Sequence, residues 1–201
     1  MQGVGLTLEL TALSLLVAVV LGFLLALARL SRWNALQMVA LVYTEVIRAI
    51  PVLILLFVVY YAFPVQLSGV TAAIVSLGGF YAALYGEIFR GAIMGVDRGQ
   101  TEAAMALGMD RTAVMRKVIL PQAFFTILPP ATNQLSNLIK DTSLVFTIGV
   151  TDLMFQAQSA SSLTFQPMDM LILAGIIYFI FYLILSKFLT RWEINVQRRR
   201  S

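Results

Sequence analysis

Long apolar runs constrain this chain more than any other feature of its sequence. The run from Leu6 to Ala28 has Glu9 as its single charged residue, and four later runs carry at most two charged residues each. A helix needs about 20 mostly apolar residues to cross the hydrocarbon core of a bilayer. We therefore predict five membrane spans, at residues 6–28, 38–63, 71–94, 122–140 and 168–188.

The overall composition supports an all-α integral membrane protein. Hydrophobic residues make up 60% of the chain and charged residues 12%, whereas soluble domains usually have about 25% charged residues. The chain has no cysteine and no histidine, which excludes thiolate chemistry, disulfides and the commonest metal ligand. We find no phosphate-binding glycine loop and no nucleophile paired with a base. We therefore predict one transmembrane domain over 1–201 that is not an enzyme, with no metal site and no cofactor of its own.

The basic residues between the spans predict the orientation in the membrane. Residues 1–5, 64–70 and 151–167 contain no Lys or Arg, whereas the segments after spans one, three and five contain several. Cytoplasmic loops are enriched in Lys and Arg, so we place the N-terminus outside and the C-terminus in the cytoplasm. The same pattern explains the net charge of +4 better than nucleic-acid binding does. The first run lacks a basic start and is too long for a cleaved signal, so it is predicted to be a span.

Two segments between the predicted spans are not expected to cross the membrane. Leu144–Val150 is apolar but too short to cross a bilayer, and we expect a half-helix or a lateral segment there. The polar stretch 95–121 predicts two short helices. Thr101 is placed to cap the first helix and Gly108 to end it, and Asp110 is placed to cap the second, which should stop before Pro121. The apolar residues of this water-facing stretch indicate contact with a partner.

The same stretch closely resembles the EAA loop of permeases of ATP-binding-cassette (ABC) importers. The family pattern is E-A-A, three residues, glycine, nine residues and I-x-L-P. In this chain the pattern is matched by Glu102-Ala103-Ala104, Gly108 and Val118-Ile119-Leu120-Pro121, with valine in place of the usual isoleucine. The resemblance implies a coupling helix that docks on an ATP-hydrolysing subunit. The residues it implies for this role are Glu102, Ala103, Ala104, Leu107, Gly108, Leu120 and Pro121.

Three further segments are similar to the permeases of polar amino-acid importers. They are EVIRAIPVL at 45–53, YGEIFRG at 85–91 and LIKDTSL at 138–144. The resemblance implies the type I ABC importer permease (MetI-like) fold in a bacterial inner membrane. It also implies a second permease subunit, identical or paralogous, two ATPase subunits that use ATP and Mg, and an external or periplasmic binding protein. The cargo would be a polar amino acid, such as histidine, arginine, glutamine, glutamate, cystine or an opine.

Ionisable and amide side chains inside the predicted spans are candidates for a substrate pathway, because such groups are costly in a bilayer. Glu45 and Arg48 are three residues apart, as are Glu87 and Arg90, so each pair shares a helix face. These charges either pair with one another or line the pathway. On the fourth span, Pro129 and Pro130 are expected to break the helix, and an amide stripe follows them. The pathway candidates are Arg48, Glu87, Asn133, Gln134 and Asn137. The amides of the stripe are equally suited to holding helices together.

Two other classes of protein compete with the importer reading. A secondary transporter driven by an ion gradient would show an internal repeat with broken helices in matching positions, and we detect no such repeat. A membrane scaffold would use the loop 95–121 only to recruit a soluble partner. Such a protein would not support ATP-dependent flux.

Overall fold

The computed structural model describes residues 2–62 and 64–198, and every regular element in these ranges is helical. Most of them are α-helices, and the exceptions are a π-helical turn, Met115–Ile119, and a 3₁₀ segment, Thr142–Ile148. The α-helices are α1 Gln2–Arg29, α2 Asn34–Ala49, α3 Val52–Tyr61, α4 Gly69–Met94, α5 Arg98–Ala106, α6 Arg111–Val114, α7 Leu120–Asp141, α8 Leu153–Thr164 and α9 Pro167–Arg198.

The centre of the fold is the long, close contact between α1 and α4. A Cβ added at Gly22 would lie 2.8 Å from the Cβ of Tyr85, and one added at Gly78 would lie 2.7 Å from a methyl group of Val17. Ala18 and Ala26, both on α1, are fully buried. Lipid is as apolar as a leucine side chain, so membrane helices associate where small residues let their backbones approach. These glycines and alanines are therefore what holds α1 against α4.

The second predicted span, 38–63, is not a single helix. Helices α2 and α3 meet at an angle of 107° across Ile50 and Pro51. Proline has no N–H and disfavours helical geometry in the residue before it, and Ile50 has extended backbone angles. The bend follows from that one dipeptide. Phe63, at the end of the predicted span, lies outside the described residues.

Helix α7 passes through both of its internal prolines without a break, contrary to the prediction. Pro129 and Pro130 lie inside the continuous helix Leu120–Asp141. Among the described residues, three helices are long and apolar enough to cross a membrane, or four if α2 and α3 form one bent span. Helix α7 is not among them, because its amide and charged side chains lower its hydropathy. The predicted count of five therefore goes beyond what helix length and hydropathy support.

The segment after α7 is more structured than the sequence predicts. The predicted half-helix is the 3₁₀ segment Thr142–Ile148, which ends at Gly149 with a φ of 79°. Residues 151–167, expected to be an external loop, contain the twelve-residue helix α8. Asp152 caps α8 by accepting a 2.9 Å hydrogen bond from the backbone N–H of Phe155. This segment packs against α1, α4 and α9 and closes one end of the bundle.

Candidate functional sites

The loop between α4 and α7 is a helical hairpin held by local hydrogen bonds. Its first helix, α5, begins at Arg98 and is capped by Asp97, which accepts a 2.7 Å bond from the N–H of Gly99. Thr101, the predicted cap, lies inside the helix. Asp97, four residues earlier, immediately precedes the first turn, where its carboxylate can accept a hydrogen bond from a free backbone N–H.

Gly108 ends α5 as predicted, in a Schellman turn. Its φ is +81°, its N–H bonds to the carbonyl of Met105 at 2.9 Å, and the next N–H bonds to the carbonyl of Ala104 at 3.2 Å. Left-handed geometry costs an ordinary L-residue about 1–2 kcal/mol, and glycine avoids that cost. The direction in which the chain leaves α5 therefore depends on this glycine.

The second helix of the hairpin starts as predicted and ends differently. Asp110 caps α6 by accepting a 2.7 Å bond from the N–H of Ala113. The chain then stays helical through the π turn and enters α7, so it does not stop before Pro121. The N–H of Leu120 bonds to the carbonyl of Met115, five residues back. The wider turn accommodates a proline, which has no N–H and crowds the carbonyl four residues earlier.

The structure divides the predicted coupling residues into two groups. Ala104 is buried, and Leu120 packs with Ala92, Ile93 and Ala123 where α4 meets α7. Leu120 joins the hairpin to α4 and α7, whereas α5, which carries Ala104, packs mainly against α6 and the π turn. The others are accessible on its surface, most of all Leu107, whose side chain is 84% exposed. The accessible residues are Glu102, Ala103, Leu107, Gly108 and Pro121.

A cavity beside the hairpin was not anticipated from the sequence. It has a volume of about 290 Å³ and lies between α5 and the start of the continuous helix. Thr101 and Met105 line it from one side and Val114 and Ile119 from the other. A 3.4 Å hydrogen bond from Gln122 to Gln100 links the two walls. The two arms of the hairpin are therefore not fully packed against each other, and Leu107 is exposed at the turn between them.

Inside the bundle, Glu87 is the carboxylate on which two arginines converge. Its oxygens accept a 3.0 Å bond from Arg29 on α1 and a 2.7 Å bond from Arg90 on its own helix. The predicted pair of Glu87 and Arg90 is therefore present, and Arg29 is an additional partner 58 positions away. Glu45 and Arg48 form a looser contact of 3.9 Å, with both side chains exposed.

The amide stripe on α7 has no such partners. The side chains of Asn133, Gln134 and Asn137 make no hydrogen bond to any residue that the structure describes. Asn133 is exposed, and the other two amides are half-buried. Their hydrogen-bonding capacity is thus available to a neighbouring subunit or to a solute.

Two carboxylates were not predicted to have a structural role. Asp141, which is half-buried, accepts a 2.7 Å hydrogen bond from the hydroxyl of Tyr81. Asp152 is fully buried and accepts a 3.3 Å bond from Tyr178 as well as capping α8. Burial raises the pKa of Asp152, and its hydrogen bonds oppose that rise. An aspartate before an apolar helical run was the available signal for the cap.

The chain is similar to known proteins over most of its length. The family described as "Binding-protein-dependent transport system inner membrane component" matches residues 18–199. The arginine transport system permease protein ArtQ of Bacillus subtilis (strain 168) is 36% identical over 190 residues, covering 92% of this chain and 87% of the relative. The histidine/lysine/arginine/ornithine transport system permease protein HisQ of Escherichia coli (strain K12) is 32% identical over 216 residues, covering 98% and 95%.

A solved structure agrees over almost the whole fold. The crystal structure of an amino acid ABC transporter with histidines superposes with a TM-score of 0.91 at 36% identity, covering 96% of this chain and 92% of the other. The agreement extends over the bent pair α2–α3, the hairpin and α8, since so little of either chain lies outside the match.

Proposed function

The chain belongs to the family of binding-protein-dependent transport system inner membrane components, and we propose that it carries polar amino acids across the cytoplasmic membrane as the permease subunit of an ABC importer. Its relatives are amino-acid ABC permeases that match nearly its full length. These relatives favour this function over a secondary transporter or a scaffold. The arginine and histidine systems differ in their named cargo, so we propose a polar amino acid as the class of substrate.

The single observation that carries the coupling role is the exposed tip of the hairpin. Leu107 is 84% exposed beside accessible Glu102 and Ala103, while Leu120 packs where α4 meets α7. Exposed apolar surface on a rigid, capped element is typical of a docking site. We propose that a separate ATPase subunit, which binds ATP and Mg, docks here. We also propose, from the distribution of Lys and Arg, that the hairpin and the C-terminus lie in the cytoplasm and the N-terminus outside.

For the substrate pathway we propose the amide stripe of α7. A zwitterionic amino acid that crosses the bilayer needs donors and acceptors to replace its hydration. The unpartnered amides of Asn133, Gln134 and Asn137 supply both kinds of group. Arg48 is exposed and remains a candidate for the substrate carboxylate. Glu87 is the weakest candidate, because Arg29 and Arg90 already satisfy its charge.

The full assembly we propose contains two permease subunits, two ATPase subunits and an external binding protein. The test is to purify the chain with its co-eluting subunits, reconstitute the complex in proteoliposomes and measure uptake of labelled amino acids. We expect uptake that requires both internal ATP and the binding protein. Uptake driven by an ion gradient without ATP would contradict the proposal. A complex with an ATPase subunit that cannot hydrolyse ATP is the matched control.

A further inference from the structure

Between α1 and α2 lies a large apolar groove whose lining includes none of the residues proposed above for coupling or for the substrate pathway. Its volume is about 730 Å³. Leucines of α1, including Leu21 and Leu24, form one wall, and Leu36 and Val39 of α2 form part of the other. Tyr43 closes the far end, where its hydroxyl donates a 2.9 Å bond to the carbonyl of Gly79 on α4.

The length and position of the groove match one leaflet of a bilayer. The lining residues of α1 and its following turn run from Leu21 to Ser31, which is ten residues or about 15 Å along a helix. The hydrocarbon core of a bilayer is about 30 Å thick, so the groove extends over about half of it. The lining residues of α2, from Leu36 to Tyr43, lie at the same depth. An extended hydrocarbon chain fits such a groove without leaving any polar group unsatisfied.

The mouth of the groove has a different chemistry from its walls. Ser31 lines the groove at the turn 30–33 between the two helices, and the next two residues of this turn are Arg32 and Trp33, of which Trp33 is 66% exposed. Tryptophan is enriched where a bilayer meets water. Arg32 is exposed and has no ion pair or hydrogen bond among the described residues, whereas nearby Arg29 is already paired with Glu87. An uncommitted cation at this depth attracts an anionic head group.

We propose that the groove binds one acyl chain of an anionic phospholipid, with its head group at Arg32 and Trp33. The orientation proposed above makes this the cytoplasmic leaflet, but the site itself does not depend on that assignment. A protein segment would leave its backbone groups unsatisfied against these apolar walls unless it were helical. The groove, closed at Tyr43 and charged at its mouth, suits a chain with one charged end.

The test uses a photoreactive benzoylphenylalanine at Val39 or Leu24 in the complete complex in cells. Both side chains line the groove and are exposed, by 69% and 54%, so the substitutions should be tolerated. After illumination, mass spectrometry of the chain identifies the adduct. We expect phospholipid adducts with anionic head groups enriched about fivefold over the bulk membrane, the factor expected from one basic side chain at an anionic surface. Arg32→Gln should return the ratio to that of the bulk membrane.

The controls separate this site from general contact with the bilayer. The same photoreactive residue at Leu16, which is exposed on α1 but does not line the groove, should give adducts in the bulk ratio. Lys187→Gln removes an exposed basic residue elsewhere and should leave the enrichment unchanged. A peptide adduct at Val39, a bulk ratio there, or enrichment that survives Arg32→Gln would overturn the proposal. None of these readouts requires transport, so they stand apart from the uptake assay.

Discussion

Tyr81 on α4 donates a 2.7 Å hydrogen bond to a carboxylate oxygen of Asp141, the last residue of α7. The tyrosine is 1% exposed and the aspartate is half-buried, so the bond ties α4 to α7 in a partly buried environment. Hydrogen bonds to charged groups contribute about 1.5–3 kcal/mol, roughly twice as much as neutral ones. This bond joins α4 to the point where α7 passes into the 3₁₀ segment.

Tyr81→Phe should therefore lower the stability of the complex by about 1.5–3 kcal/mol, because the carboxylate loses its donor. Thermal unfolding in detergent measures the loss. Tyr85→Phe is the matched control, since its hydroxyl bonds a neutral carbonyl, that of Ala131, at 2.9 Å and should cost about 0.5–1.5 kcal/mol. Equal losses in the two variants would mean that Asp141 gives the first bond no special strength.

Asp152 predicts a pH dependence of stability, because its buried carboxyl has a raised pKa in the folded protein. Below a pH of about 3.9, the pKa of an aspartate in an unfolded chain, Asp152 is protonated in both the folded and the unfolded state. Its ionisation then does not change the free energy of unfolding. As the pH rises through the folded pKa, ionisation is harder in the folded state and stability is lost. Asp152→Asn keeps the cap of α8 and removes this loss, so its melting temperature relative to wild type should rise with pH.

The comparison requires melting curves of wild type and Asp152→Asn across the acid to neutral range. Asp110→Asn changes an N-cap of the same kind on the exposed hairpin and is the matched control. A melting-temperature difference between Asp152→Asn and wild type that stays constant with pH would show that burial of this carboxyl has no effect on its ionisation.

Gly108→Val should abolish coupled transport while insertion in the membrane stays normal. Valine at a φ of +81° is strained by about 1–2 kcal/mol. The turn would relax to relieve this strain, and Leu107 would move away from its position at the tip of the hairpin. Gly108→Asn is the control, because asparagine tolerates left-handed geometry and should retain most activity.

Glu102→Lys should weaken ATPase attachment without changing the fold. The coupling assignment is wrong if Gly108→Val and Glu102→Lys both transport at the wild-type rate with the ATPase bound.

Single cysteines test the orientation, since the chain has none of its own. Cysteines at the exposed positions Ser68 and Ser162 should react with an impermeant maleimide added to intact cells, whereas one at Thr112 should not. Ser161, otherwise an obvious choice, is only 6% exposed and is unsuitable. Labelling at Thr112 with Ser68 unreactive would reverse the proposed topology.

Asn133→Leu and Asn137→Leu should change apparent substrate affinity or specificity while assembly and basal ATPase activity survive. The reason is that their amides make no hydrogen bond to any described residue and are therefore available to a solute beside α7. Uptake competition among amino acids and thermal stability are measured on the same variants. Lower stability with an unaltered order of competition would show that these amides hold helices together and do not contact substrate.

The elements that were predicted well depend on neighbours in the sequence. Gly108 and Asp110 act within a few residues of their partners, so their roles as a helix end and a cap follow from residue type alone. The prediction for Thr101 failed because Asp97 is a better-placed cap only four residues away. The expected break at Pro129 and Pro130 also failed, because packing against the neighbouring helices outweighs two lost backbone bonds.

From its sequence alone, this chain can be assigned to membrane proteins and to the amino-acid permeases, and a helical hairpin can be predicted within residues 95–121. Those conclusions depend on hydropathy and on motifs only a few tens of residues long. Only the folded structure shows that Glu87 pairs with Arg29, 58 positions away, and that Tyr81 donates a hydrogen bond to Asp141, 60 positions away. An unpaired charge is costly in a low-dielectric interior, so such groups are stable only when they are paired. The packing of α1, α4 and α7 determines which partner lies close enough.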